Sequence, residues 1–406
     1  MVALRNARLA TGKLVDVGIA GERIESVGRL AESAGSFDCG GRLLLPAFID
    51  THVHLDKVLI RDELAEHDGT LAGAIGAVHA RKRAYTVEDV RTRARRVIES
   101  SVLLGTTRLR SHVDVDTIGG LTPLEGVLTA ANDCAGIADV QVIAFPQEGI
   151  LRDPGAADLM TQAMAEGAHV VGGMPHWEPD AESQRRHVEV CFELGERFDR
   201  PLDMHVDETD DGSVRTLEMV ADEALRRGWS GRVTAGHVCA LAAADEEYAA
   251  RVIDKCARAG ITIVSNPVTN LVVQGRGDRG LIRRGLTRVA EFRAAGVNLC
   301  FGQDCVRDGF YPFGRGDMLE VVLISAHAAH LATHDELSFA LDAVTTNPAR
   351  AWCLDDYGVK PGARADLVLL DATSWEEALR LQAARSRVWF RGRPVAETQV
   401  TSRLLA

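Results

Sequence analysis

The sequence predicts an α/β protein in which a (β/α)8 TIM barrel is joined to a small β-sandwich domain formed by the N- and C-terminal segments. Short apolar segments alternate eight times with longer amphipathic stretches through the middle of the chain, as expected for parallel strands wrapped by helices. Both ends instead alternate apolar and polar residues around glycine turns, which indicates strands with one buried face. The length of 406 residues leaves room for both parts.

The two ends are assigned to one domain because they share this pattern. Short alternating segments fill residues 1–45, and the alternation returns in 362–371. A further turn between two strands is predicted at Arg391-Gly392-Arg393. We therefore expect the β-sandwich domain to comprise residues 1–45 and 357–406, and the barrel to comprise residues 46–356.

The barrel strands follow one another at regular intervals along the middle of the chain. We predict strands within residues 45–56, 106–116, 139–149, 169–178, 201–208, 232–240, 261–269 and 297–305. Nearly every one of them ends in a cluster of polar residues. Because the active site of this fold lies at the C-terminal ends of its strands, those clusters are the expected place for chemistry.

Composition excludes several classes of function. The formal net charge is −12, from 46 Lys+Arg against 58 Asp+Glu, which excludes a nucleic-acid coat protein. No apolar run approaches the length of a membrane span, and charges interrupt the start of the chain where a signal peptide would be apolar. The eight cysteines are scattered without a metal or disulfide spacing. We expect a soluble, cytoplasmic protein without a nucleic-acid or membrane partner.

Histidine and aspartate residues at three strand ends predict a metal site. His52 and His54 end the first strand, and side chains two residues apart on a strand point to the same side. His205 lies at the end of the fifth strand and Asp304 at the end of the eighth. Together they form a mononuclear set of nitrogen and oxygen ligands suited to zinc or iron.

Several blocks of sequence resemble the cytosine deaminase branch of the amidohydrolase superfamily. These blocks are PAFIDTHVHLDK, IAFPQEGI, HVDETDD, RVTAGHV, NPVTNLVVQGRGD, RRGLTRV and FGQDCVRDGFYPFGRGDML. They span almost the whole chain in the order and spacing of that family. RSHVDVD and FGRGDM also resemble the relatives that hydrolyse N-isopropylammelide.

The resemblance implies one divalent metal ion, Fe2+ or Zn2+, held by His52, His54, His205 and Asp304. Members of the superfamily with two ions use a carboxylated lysine on strand four, and HVVGGMPHWEP contains no lysine. Lys57 follows the ligands of the first strand and is expected to be a surface or loop residue.

The resemblance also implies the catalytic residues. The bound ion would supply hydroxide near neutral pH, and the hydroxide would attack the amidine carbon of the ring. Glu208 would protonate the ring nitrogen while ammonia leaves. His237, together with Asp304, would orient the attacking water and take its proton.

Four residues are predicted to bind substrate. Gln147 would form a hydrogen bond with the amide edge of a pyrimidine, and His176 would form part of the pocket wall. The family usually has His-Asp-Asp followed by Trp where this chain has Gln303-Asp304-Cys305 and Phe310. Gln303 should point away from the metal. Cys305 either makes room for a substituent on the ring or only fills space.

These residues predict an enzyme that deaminates cytosine, a 5-substituted pyrimidine or a related N-heterocycle. The alternative is an s-triazine amidohydrolase that releases an amine, although those relatives tend to lack the glutamate at the position of Glu208. A cyclic-amide hydrolase and a catalytically inactive scaffold are less favoured. The partner is a small molecule, and both a monomer and a homo-oligomer stay open.

Overall fold

The computed structural model describes residues 2–31, 35–65 and 71–405, so residues 1, 32–34 and 406 of the two predicted terminal segments lie outside the described part. The strands are β1 (Val2–Arg8), β2 (Leu14–Ala20), β3 (Arg23–Gly28), β4 (Ser36–Asp38), β5 (Leu43–Pro46), β6 (Phe48–Val53), β7 (Thr106–Asp114), β8 (Asp139–Phe145), β9 (Val170–Val171), β10 (Leu202–Val206), β11 (Val233–His237), β12 (Thr262–Ser265), β13 (Leu299–Phe301), β14 (Leu367–Leu370), β15 (Arg385–Phe390) and β16 (Arg393–Glu397).

The helices lie mainly between the strands of the central part. They are α1 (Leu71–Lys82), α2 (Val87–Leu103), α3 (Thr122–Asp133), α4 (Ala156–Ala165), α5 (Ala181–Phe198), α6 (Thr216–Arg227), α7 (Glu246–Ala259), α8 (Pro267–Val273), α9 (Val289–Ala294), α10 (Met318–Ala328), α11 (His334–Asp342), α12 (Thr346–Ala351) and α13 (Trp375–Leu381). Short 3-10 helices occur at Arg61–Glu63, Pro175–Trp177 and Cys239–Ala243. Within the described ranges, none of the helices has the length and apolar character needed to span a membrane.

Strands β6 to β13 form the predicted barrel. They pair in parallel and in sequence order, and a bridge between Val53 and Asp304 joins the first strand to the segment after the last. All eight predicted strands are present, but several are shorter than predicted. The fourth is only the two residues of β9. Just after it, Gly172 passes so close to Ala144 that a Cβ would lie 2.4 Å from its carbonyl oxygen. The (β/α)8 fold class is confirmed.

The remaining strands form a second sheet from both ends of the chain. Its order is β16-β15-β14-β5-β1-β2-β3, with β4 also paired to β1. The sheet folds over its own apolar core, since the rings of Phe37 and Trp389 on β4 and β15 meet edge to face at 5.7 Å between centroids. Arg391 and Gly392 both have positive φ between β15 and β16, as a tight hairpin turn requires. The division into terminal and central segments at the predicted residue boundaries stays a prediction.

Candidate active site

Four predicted ligands meet at the C-terminal end of the barrel. The Nε2 atom of His205 lies 3.3 Å from Nε2 of His52 and 3.1 Å from Nε2 of His54. Oδ1 of Asp304 lies 3.7 and 3.3 Å from those same two nitrogens of His52 and His54. Four ligands around one zinc ion at its usual bond lengths are about 3.4 Å apart. The spacing of the four side chains therefore fits a single divalent ion.

Backbone hydrogen bonds hold the ligands of the first and last strands together. The amide of Asp304 donates to the carbonyl of His52 at 2.6 Å, and the amide of His54 donates to the carbonyl of Asp304 at 3.0 Å. Asp304 takes a left-handed conformation with φ of 63°, which costs energy in a non-glycine residue and is common at functional sites. Behind the ligands, the ring of His112 packs 4.1 Å from that of His52, so His112 supports the site without lining the cavity.

Burial sets the charge of these ligands. It lowers the pKa of His54 to about 4, and nearby Lys57 adds to the effect. Burial also lowers the pKa of His52 and His205 well below the usual histidine value. Burial opposes ionisation of Asp304, but contacts with His54 and His237 outweigh it and hold its pKa at about 2. Neutral imidazoles beside a carboxylate are the forms that bind metals.

Glu208 and His237 lie next to each other beside the ligands. Oε1 of Glu208 is 3.3 Å from Nδ1 of His237 and accepts a hydrogen bond from Nδ2 of Asn270 at 3.0 Å. Oδ1 of Asn270 lies 3.1 Å from Nδ1 of His237. The two closest neighbours of Nδ1 are acceptors, and the donor Nδ2 of Asn266 lies 3.4 Å from Nδ1 and 3.3 Å from Nε2. We therefore assign the proton to Nδ1, which leaves Nε2 able to accept one. Burial raises the pKa of Glu208.

Asn270 was not predicted to have this role. No catalytic or binding role was predicted for a residue after the seventh strand, yet Asn270 lies on α8, is buried and bridges Glu208 and His237. The sequence feature that could have indicated this role is the segment NPVTN, in which an asparagine follows a proline directly after a barrel strand. Such a position is typical of active-site residues in this fold, so a search for buried amides there would have found it.

A cavity that is partly open to solvent lies above the ligands. Its walls contain all four residues predicted to bind substrate: Gln147, His176, Cys305 and Phe310. The rest of the lining is His54, Lys57, Ile75, Met174, Trp177, His205, Glu208, Thr269, Val273 and Asp304. Gln303 turns away as predicted, because its amide donates to the carbonyl of Cys305 and accepts from the amide of Gly316, both at 3.1 Å. The individual roles of these residues remain predictions.

Lys57 lies in the loop after β6, as one half of the expectation had it, but the expectation of a surface position was wrong. Lys57 is 2% exposed and lines the cavity, so it is not a surface residue. Its ammonium donates to Oδ1 of Asp114 at 2.7 Å and to Oε1 of Gln147 at 2.8 Å. Although burial opposes the charge, Asp114 and Asp56 outweigh it and raise the pKa of Lys57. A buried lysine is found only where such partners compensate its charge.

Glu178 fixes the loop that carries Gln147. Its carboxylate accepts hydrogen bonds from the amides of Ile150, Leu151 and Arg152 at 2.6 to 3.0 Å, and from Nδ1 of His187 at 2.7 Å. The His187 ring must donate from Nδ1 because its Nε2 accepts from the amide of Met174. Glu178 therefore ties the segment after β8 to the segment after β9.

Replacing Glu178 by Gln should lower the free energy of unfolding by about 2 to 3 kcal/mol at pH 7, the usual size for hydrogen bonds to a buried charged group. Burial opposes ionisation, but these hydrogen bonds outweigh it and hold the pKa of Glu178 below its ordinary value of 4.5. The stabilisation is therefore present above pH 4.5 and is lost as the pH falls through the lowered pKa. Urea unfolding at pH 7 and pH 3.5 should show the difference shrinking in acid. The exposed Glu166→Gln variant is the control, and an unchanged difference would contradict the assignment.

This chain is similar to known proteins in both sequence and structure. A profile described as the amidohydrolase family matches residues 59–396. The pterin deaminase of Rhizobium rhizogenes is 36% identical over 348 residues, 83% of this chain and 77% of that protein. The N-isopropylammelide isopropyl amidohydrolase of Pseudomonas sp. strain ADP is 30% identical, covering 98% of this chain and 97% of that protein. The crystal structure of 5-methylcytosine deaminase from Klebsiella pneumoniae liganded with 5-fluorocytosine superposes with a TM-score of 0.95, at 37% identity over 99% of each chain.

Proposed function

Since this chain belongs to the amidohydrolase family, we propose that it is a deaminase of cytosine or of a 5-substituted pyrimidine. The observation that carries the proposal is the position of Glu208, which shares one cavity with Gln147 and with three of the four predicted metal ligands, His54, His205 and Asp304. A proton carrier, a metal centre and an amide that recognises a ring edge are the groups this hydrolysis needs. The similarity to 5-methylcytosine deaminase supports the same substrate class.

One divalent ion is proposed for the site. His52, His54, His205 and Asp304 would hold it, and when bound it lowers the pKa of water so that hydroxide is available near neutral pH. Ligand atoms of His52, His205, His237 and Asp304 lie close enough together to hold an ion, and those of His54, Asp56 and Asp114 form a separate group of this kind. The ammonium groups of Lys57 and Lys82 already lie 2.7 and 2.5 Å from the two carboxylate oxygens of Asp114. These lysines supply the positive charge that a second ion would otherwise bring.

The side chains divide the proton transfers between them. With its raised pKa, Glu208 is able to hold a proton and pass it to the ring nitrogen as the amino group leaves. His237 would receive one proton of the attacking water and pass it to the amino group, which leaves as ammonia, while Glu208 takes up the remaining hydroxyl proton as the ring carbonyl forms. Asn270 fixes the distance between the two groups through its contacts with both. The products are ammonia and the corresponding ring carbonyl compound.

The direct test is ammonia release by the purified protein with its metal content measured. The substrates are cytosine, 5-methylcytosine, isocytosine, ammelide, N-isopropylammelide and pterin. We expect one ion per chain and the highest kcat/KM on one of the cytosines. Release of isopropylamine would favour the s-triazine alternative instead, and turnover of pterin alone would favour the activity named for the Rhizobium rhizogenes relative. A metal-loaded protein that acts on none of them would contradict the deaminase proposal.

Cys305 is proposed to accommodate a substituent at ring position 5. It is buried and lines the cavity where relatives usually have a carboxylate. Replacing Cys305 by Asp should lower the kcat/KM ratio of 5-methylcytosine to cytosine by ~10-fold or more, the scale at which pockets discriminate one methyl group. The exposed Cys353→Asp variant controls for the added charge. An unchanged ratio would mean that Cys305 only fills space.

A further inference from the structure

Lys57 has no part in the proton transfers described above, yet it is one of the most buried charged residues of the protein. Its ammonium contacts Asp114 at 2.7 Å and Gln147 at 2.8 Å. Asp114 in turn pairs with Lys82, whose ammonium also lies 2.6 Å from Asp116. This row of alternating charges, Lys57, Asp114, Lys82 and Asp116, is buried throughout and ends at the amide of Gln147.

The backbone around Lys57 is held as firmly as its side chain. One guanidinium nitrogen of Arg93 donates to the carbonyls of Asp56 and Val58 at 2.8 and 2.9 Å, on either side of Lys57. The amide of Lys57 donates to the carbonyl of His54 at 3.3 Å. The position of the ammonium is therefore fixed relative to the metal ligands.

An ammonium group can only donate hydrogen bonds. The oxygen of the Gln147 amide must therefore face Lys57, since the opposite orientation would bring two donors together. The Nε2 group is then directed to the other side, where its neighbour is the Sδ atom of Met174 at 3.4 Å. A thioether is a weak acceptor, so a ligand with a better acceptor would replace it.

We propose that Lys57 is a positioning residue that fixes the direction of the Gln147 amide and so selects ring substrates with an acceptor, chiefly a carbonyl oxygen, at that edge. The inference rests on the proposed function for the identity of the ring, but the selection itself is a property of binding. Cytosine carries such a carbonyl, whereas 4-aminopyrimidine has the same amidine carbon without it. A buried donor that meets no acceptor is costly, so the second ring should be a poor ligand.

The test compares two ring ligands that need no turnover. Uracil has the carbonyl at position 2 and 4-pyrimidinone lacks it. Calorimetry on the metal-loaded wild type should give uracil a Kd at least ~10-fold lower than that of 4-pyrimidinone. Replacing Lys57 by Met frees the amide to rotate and should bring the ratio of the two Kd values close to one. Equal weakening of both ligands would overturn the inference, because a merely structural role would produce that result.

A double-mutant cycle tests whether Lys57 acts through Gln147. Lys57→Met should weaken uracil binding roughly 10- to 100-fold in the wild-type background and less than about 3-fold in the Gln147→Leu background. Additive effects of the two substitutions would overturn the inference. The double variant Lys57→Met/Asp114→Asn also removes the carboxylate charge that Lys57→Met leaves without its partner. It should show the same loss of selectivity, and it takes the place of the single variant if that variant fails to fold. Lys82→Met disturbs the same charges without touching Gln147 and should keep the wild-type ratio.

The two proposals fail in different ways. If wild type releases no ammonia from any aminated ring but the binding cycle behaves as described, the deaminase proposal is wrong and the role of Lys57 stands. If cytosine is deaminated but Lys57→Met leaves the ratio of the two Kd values unchanged, the role of Lys57 is wrong and the deaminase proposal stands. If neither ligand binds wild type, the inferred selection is wrong.

Discussion

Replacing Glu208 by Gln should lower kcat by ~100- to 10,000-fold, the usual contribution of a positioned proton carrier. Glutamine keeps the size of the side chain and the oxygen that accepts from Asn270 at 3.0 Å. It removes only the ability to hold and release a proton. Because Glu208 is none of the four predicted ligands, the metal content and the thermal unfolding midpoint should stay at wild-type values.

The Glu208→Gln variant distinguishes an effect on the chemical step from an effect on ligand binding. The Kd for uracil should change by less than about 3-fold, since the groups proposed to recognise the ring are left intact. Glu247→Gln, an exposed substitution on α7, is the control for loss of a carboxylate and should keep full activity. A kcat within tenfold of wild type would show that another group carries the proton.

Replacing His205 by Ala should remove both the ion and the activity. Nε2 of His205 lies 3.3 and 3.1 Å from those of His52 and His54, so its loss removes one of the three nitrogen ligands of the set. We expect metal content below about one tenth of wild type and a fall in kcat/KM of at least ~1,000-fold, because an ion of this kind contributes several kcal/mol to the transition state.

Chelation provides the matched experiment on the unchanged chain. Wild type stripped with a chelator should lose activity and regain it when Fe2+ or Zn2+ is added, whereas His205→Ala should not regain it at equal ion concentration. His327→Ala, an exposed histidine on α10, should behave as wild type. Full metal content in His205→Ala would contradict the assignment of that ligand.

The ligand set could be predicted from sequence because it depends on rules that act locally. Strand periodicity places His52 and His54 on one side, and the barrel topology brings the ends of distant strands together. Strand periodicity also predicted that Gln303 points away from the metal site, and the hydrogen bonds of Gln303 are consistent with that orientation. The resemblance to a known family then supplied candidate roles for Glu208 and His237.

Lys57 and Asn270 escaped prediction for a different reason. A lysine after a strand is usually solvated, and only its three-dimensional partners, Asp114 and Gln147, show that this one is buried. Those partners are 57 and 90 residues away along the chain, so no local pattern connects them. Asn270 likewise acts through two residues on other strands or their loops. Compensation of a buried charge is a property of the fold and is not visible in one segment.

The pairing of β5 with β14 has a consequence for biosynthesis. Leu367 lies opposite Pro46, just before the barrel strand that carries His52 and leads into His54. A growing chain must therefore complete the whole barrel sequence on the ribosome before β14 can pair with β5, the strand that precedes the first barrel strand. Closing a loop of that length costs about 5 kcal/mol in chain entropy. Truncated translation products that end before β14 should consequently remain chaperone-dependent, and a C-terminal fragment containing β14 to β16, supplied in trans, should restore them.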